Sequence, residues 1–150
     1  MKIVEAEAEH LPALVSLLND DFLGKTRESV STADLSKYQR AFSLISADPN
    51  NVLYVALDAD EKPVGTFQLS FLPGLAFTGG TRAQIESVRT RSDMRGKGIG
   101  REMMLFAEEE ARKRGCVLIQ LATNKARPDA HRFYQSLGFE ASHIGFKMML

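Results

Sequence analysis

Arg95-Gly96-Lys97-Gly98-Ile99-Gly100 combines three glycines with two basic side chains in a spacing suited to holding an anion. Ile99, Met103, Ala107 and Ala111 then recur every fourth residue, the spacing of one helix face. Upstream, residues 83 to 90 (AQIESVRT) carry the β-branched side chains of a strand. Strand, glycine loop and helix together present backbone N–H groups to a ligand. The first four amides of a helix have no internal partner, and the helix dipole is positive at that end. Glycine removes the side chains that would block a close approach. Arg95, Lys97 and Arg101 add charge at the same mouth, and residues 82 to 101 hold six basic side chains against Glu86 and Asp93. The stretch therefore predicts a phosphate cradle. A nucleotide P-loop would need Ser or Thr where Gly98 follows Lys97. A dinucleotide fingerprint counted from Gly96 would need glycine at Arg101.

The elements that must position this cradle are legible in order. Lys2 to Ala6 reads as a strand, and a helix follows from about His10 to Asn19, with Pro12 in its first turn. Asp20 to Ser31 reads as a polar loop. A second helix from about Thr32 carries Leu35, Tyr38, Phe42 and Ile45 on one side and stops at Asp48-Pro49. Val52 to Leu57 and Val64 to Leu72 flank the Asp58 to Pro63 turn as a hairpin. Pro73 to Gly80 is a loop that leaves Leu75, Ala76 and Phe77 exposed. After the cradle strand and its helix, which ends near Gly115, residues 116 to 122 predict a buried strand. Pro128 and Asp129 open a short helix that Gly138 closes. The tail from Phe139 to Leu150 allows one strand or two very short ones. A hairpin followed by alternating strands and helices predicts a single α/β domain over residues 1–150, its mixed sheet covered by helices on both faces.

Composition narrows the function. The 150 residues are 44% hydrophobic and 25% charged, which excludes disorder. Nineteen basic residues balance nineteen acidic ones, against a general nucleic-acid or membrane-surface binder. Cys116 is the one cysteine, so no intramolecular disulfide forms and a reducing, cytoplasmic setting is expected. Its apolar neighbours read as core rather than as the setting of a nucleophile. His10, His131 and His143 lack metal-ligand spacing, and no metal is expected.

The pattern Arg-x-x-Gly-x-Gly at 95–100, the preceding IESVRT strand and the later His131-Arg132-Phe133-Tyr134-Gln135-Ser136-Leu137-Gly138-Phe139 resemble the GNAT superfamily of N-acetyltransferases. The likeness is specific from about residue 83 to 139. It implies a mostly antiparallel central sheet in which a parallel pair splays apart, and acetyl-CoA as cofactor. Pantetheine would pair with main-chain groups of Val88, Arg89 and Thr90. The pyrophosphate would lie on amides of Arg95, Gly96, Lys97, Gly98, Ile99, Gly100 and Arg101. Tyr134 matches the family's general acid beside the CoA sulfur, and Glu86 stands where several members place the base. Relatives that put a glutamate on the next strand find no match, because Ala122 stands there. Arg127 replaces a common cofactor-contacting asparagine, with Asn124 three residues earlier, and either residue could reach CoA.

The resemblance implies an N-acetyltransferase acting on a small-molecule or peptide amine by direct attack in a ternary complex. A non-catalytic acyl-CoA-binding regulatory module is the alternative. The acceptor side would draw on Asp20, Asp21, Glu28, Tyr38, Phe71 and Phe77. The tail looks too short for the family's final pair of strands, and an open sheet edge beside Phe146, Met148, Met149 and Leu150 predicts a homodimer.

Overall fold

The computed structural model describes residues 1–20 and 23–150, in two units, Met1–Gln120 and Leu121–Leu150. Asp21 lies outside the described residues. The first unit is built on a sheet with strand order β1-β2-β3-β4-β5, namely β1 (Lys2–Glu5), β2 (Asn51–Leu57), β3 (Pro63–Leu72), β4 (Arg82–Thr90) and β5 (Leu118–Leu121). The first four strands run antiparallel, whereas β4 and β5 are parallel. The β2–β3 hairpin turns on Asp58, whose Oδ1 accepts from the N–H groups of Asp60 and Lys62, both at 2.9 Å.

Helix α1 (Leu11–Asn19) follows a 3-10 turn at Ala8–His10 and packs Leu14 and Leu17 on Val55 and Leu57. The polar loop after it contains a short helix, α2 (Gly24–Arg27), and α3 (Thr32–Ala47) follows. On the opposite sheet face, Tyr54 stacks on Phe67 at 5.1 Å and Phe106 meets both edge-on. Phe106 belongs to α5 (Ile99–Lys113), which seals that face with Ile99, Met103, Ala107 and Ala111, all buried as their spacing predicts. Between β3 and β4 lies the turn α4 (Ala76–Gly79), where Leu75 and Phe77 are exposed as expected.

Two expectations fail. The strand placed at 116–122 is shorter and only half-buried, spanning Leu118–Leu121. Cys116 is spent on closing α5, donating to Ala111 O at 2.9 Å while Gly115 donates to Arg112 O at 3.0 Å. Val117 N–H reaches Thr81 O, and pairing along β5 starts only at Leu118. The tail forms no strand either. Its backbone turns back on itself where Ser142 N–H donates to Glu140 O, and Ile144, Phe146, Met148, Met149 and Leu150 are exposed. A strand needs a partner for its N–H and C=O groups, and among the described residues the tail has none.

The second unit contains α6 (Pro128–Ser136). Gly138, at φ 93°, allows Phe139 N–H to reach back to Tyr134 O at 3.1 Å and Gly138 N–H to reach Gln135 O at 3.0 Å. This double closure needs a left-handed residue, and glycine adopts that conformation without strain. The Phe139 ring then packs edge-on to Tyr134 at 5.8 Å.

Candidate active site

The cradle is assembled where β4 runs into α5. A 3-10 turn, Ser92–Met94, leads to Gly96 at φ 75° and Gly98 at φ 85°, and Gly98 is the N-cap of α5. Side chains disfavour this left-handed region by about 1–2 kcal/mol, so glycine at both positions removes a strain that other residues would impose. Among the described residues, no atom outside the loop's immediate neighbours lies within 4 Å of where a Cβ on either glycine would sit. Glu102 is the first α5 residue to reach back, donating to Gly98 O at 3.0 Å. The amides before it have no intrahelical acceptor.

Charge accompanies this open end. Arg91 binds Asp93 through Nε and Nη2 at 2.6 and 3.1 Å, and that hydrogen bond holds the Asp93 carboxyl below the usual carboxylate range. Arg95, Lys97 and Arg101 have no carboxylate partner among the described residues. Glycines that leave the amides bare, together with three cations that have no carboxylate partner among the described residues, fit a pyrophosphate.

Asp20, at the C-cap of α1, ties this loop down. Its Oδ2 accepts from Ser92 N–H at 3.1 Å, and its carbonyl accepts from Arg95 Nη2 at 2.8 Å. The carboxylate expected on the acceptor side is thus committed to the cradle. Only its three-dimensional neighbours reveal this, since 72 residues separate it from Ser92.

On β4 the ladder breaks at a bulge. Thr66 faces Arg89 and Gln68 faces Glu86, so two residues, Ser87 and Val88, oppose Phe67 alone. Ser87 takes φ 54°, a left-handed value with no signal in the sequence. Beyond the bulge, Arg91 N–H donates to Val64 O at 2.8 Å. Antiparallel alternation then turns the main-chain groups of Arg89 toward β3 and those of Val88 and Thr90 away from it. Arg89 donates from Nη1 to Val88 O at 2.8 Å, and Arg95 donates from Nε to Thr90 O at 3.4 Å. Glu86 is exposed, directly across from Gln68.

Of the residues expected around the acceptor, Phe71 is buried beneath the Arg114 guanidinium, 4.4 Å from the ring centroid, and belongs to the core. Tyr38 donates its hydroxyl to Glu28 Oε2 at 2.9 Å and accepts from Ser29 N–H at 3.0 Å, so both groups of that pair are engaged. Phe77 remains exposed.

In the second unit, Asn124 builds the turn into α6. Its Oδ1 accepts from Ala126 N–H at 2.9 Å and its carbonyl from Arg127 N–H at 3.0 Å, and His131 Nε2 lies 3.0 Å from the same carbonyl. Arg127 is the N-cap of α6. Tyr134 is half-buried, in edge contact with Phe133 at 5.1 Å. Among the described residues no group of His, Cys, Asp and Glu could hold a metal ion, and no helix is long and apolar enough to cross a membrane.

The site is thus a glycine-headed helix that follows a bulged strand of a mixed sheet. The chain matches the acetyltransferase (GNAT) family over residues 11–139 and belongs to it. It is similar to the aminoalkylphosphonate N-acetyltransferase of Salmonella typhimurium (strain LT2), with 43% identity over 67 residues, 45% of this chain and 44% of that protein. It thus spans less than half the length of this curated relative. Among solved structures it is similar to a transcriptional regulator from Bacillus halodurans C-125, with 48% identity and a TM-score of 0.96 over 99% of both chains. A candidate acetyltransferase from Agrobacterium tumefaciens str. C58 gives 29% identity and a TM-score of 0.88 over 100% of both chains.

Proposed function

We propose that the protein transfers an acetyl group from acetyl-CoA to a primary amine by direct attack, with both reactants bound together. The observation that carries this reading is Gly98 at φ 85° heading α5, with Lys97 and Arg101 beside it and no carboxylate on either among the described residues. The amides from Gly96 to Arg101 would hold the pyrophosphate, Arg95 N–H being taken by Ser92 O at 3.4 Å, and the outward main-chain groups of Val88 and Thr90 would align the pantetheine arm. Asn124 or Arg127 would add a contact. Acetyl-CoA, when bound, supplies the acyl group as a thioester.

The chain's own part is to move two protons. An alkylamine near pKa 10.4 is protonated at pH 7, and removing that proton costs about 4–5 kcal/mol. The exposed Glu86 carboxylate is the base in this reading, directly or through a water. The Tyr134 hydroxyl is the acid in this reading, giving its proton to the departing sulfur. Burial pushes the Cys116 thiol up, which favours direct attack over an acyl-cysteine route.

Thiol release from acetyl-CoA across a panel of amines tests the reading, and no release with any amine would overturn it. Tyr134→Phe should lower kcat by about 10²-fold with little change in the Michaelis constant for acetyl-CoA. Parent-level turnover would remove Tyr134 from the acid role. The name of the Bacillus halodurans neighbour favours one other reading, an acyl-CoA-binding regulatory module. That reading expects ligand binding without thiol release. The exposed apolar tail supports a homodimer, and monomer mass by light scattering at tens of micromolar would count against it.

A further inference from the structure

Two relays of side-chain amides cross the α1 face of the sheet, and each is oriented by a charged group at its outer end. Arg82 Nη1 donates to Gln120 Oε1 at 3.4 Å. Guanidinium has only donors, so Gln120 must offer it oxygen and turn its NH2 toward Gln84. Gln120 Nε2 does donate to Gln84 Oε1, at 2.7 Å. The Gln84 NH2 is left at the inner end, and nothing among the described residues accepts from it. The second relay has the opposite sense. The Asp48 carboxylate accepts from Asn51 Nδ2 at 2.6 Å, which fixes Asn51 Oδ1 inward, where Gln68 Nε2 donates to it at 3.2 Å. Gln68 Oε1 is left at the inner end without a donor among the described residues.

Register brings the two ends together. Gln84 faces Ser70 and Gln68 faces Glu86, so donor and acceptor are diagonal neighbours, with Glu86 beside the acceptor. All lie within the first unit, beside the bulge and short of the cradle. A partly exposed amide donor, a partly exposed amide acceptor and an exposed carboxylate match a small ligand with complementary ends. The Glu86 and Gln68 oxygens suit ammonium N–H groups, and the Gln84 NH2, with Arg82 behind it, suits an anionic oxygen.

We propose that Gln84 and Gln68 are specificity-determining residues for the acceptor and select a short zwitterion, an amine carrying a carboxylate or phosphonate two or three bonds away. The proposal rests on the amine-acetylation reading above. Arg82 is a positioning residue, acting only through Gln120.

The test compares 2-aminoethylphosphonate, 3-aminopropanoate and propylamine as acceptors. At least one zwitterion should exceed propylamine in kcat/KM by about tenfold or more, the scale of a hydrogen bond to a charged group. The two zwitterions distinguish phosphonate from carboxylate. Gln84→Glu keeps the acceptor for Gln120 but replaces the outward NH2 with oxygen. It should raise KM for the preferred zwitterion by about tenfold or more beyond any change it makes for propylamine. Arg82→Lys, also donor-only, should keep the preference, and Arg82→Met should lose it. In the wild-type protein, titration with methylphosphonate should shift the Gln84 side-chain NH2 resonance, a readout that survives misfolding of any variant.

A propylamine rate equal to both zwitterions, an equal effect of Gln84→Glu on all three amines, or an unmoved Gln84 resonance would overturn the proposal while leaving amine acetylation standing. Absence of thiol release with every amine would overturn both.

Discussion

Helices α3 and α5 are nearly equal in length, 16 and 15 residues, and each carries an apolar residue on almost every turn, yet they are used in opposite ways. The α5 stripe is buried, and its N-terminus is capped by a glycine beside Lys97 and Arg101. No residue of α3 is fully buried; Leu35, Tyr38, Phe42 and Ile45 are half-covered. Its first turn carries its own carboxylate, with Ser31 Oγ donating to Asp34 at 3.0 Å and Lys37 Nζ at 2.5 Å. A helix anchored along its length can leave its positive end open for a ligand. One held loosely to the surface sets a carboxylate of its own in that first turn.

The largest expected contrast lies at the two N-termini. Coenzyme A at millimolar concentration should raise the melting temperature of the parent protein, and Gly98→Asp should abolish the rise by placing a carboxylate among the bare amides. The apo melting curve of the variant serves as the fold control. An undiminished ligand shift in a folded Gly98→Asp protein would break the comparison. Along the helix bodies, Met103→Ala on α5 should cost about 2–5 kcal/mol by urea unfolding, and Leu35→Ala on α3 about 1 kcal/mol. Equal losses would show α3 to be as firmly anchored as α5.

The smallest effect is electrostatic. The Lys37 hydrogen bond, followed by those from Ser29 and Ser31, lowers Asp34 from 3.8 to about 2. A carboxyl depressed in the folded state adds stability that is complete above its unfolded value and lost as pH falls through the folded one. Amide protection in the first turn of α3 should therefore weaken between about pH 4 and pH 2. Asp34→Asn should be flat across that window, and an equal slope in both proteins would remove Asp34 from the account.

Much of this was legible in the residues themselves. The α5 stripe, the hairpin turn at Asp58 and the Gly138 closure follow from local periodicity and turn chemistry, which depend on neighbours in sequence. The Asp20 tether, the burial of Phe71 and the unpaired tail depend on distant partners, to which local pattern is blind. The stripe of α3 illustrates the boundary, since periodicity names the inward face but not how deeply it is covered. The Ser87 bulge was equally hidden, because serine is an ordinary strand-surface residue and carries no mark of a left-handed backbone.

That bulge acts as a phase slip. Along an uninterrupted strand, positions of one parity share a face, and Glu86 would be grouped with Val88 and Thr90. The extra residue inverts parity, so Arg89 joins Gln84 and Glu86 on the α1 face while Val88 and Thr90 present main chain to the open side. A one-residue deletion at 87–88 would restore regular alternation with Glu86 and Arg89 still on one face, and would remove the left-handed Ser87 on which the present register turns.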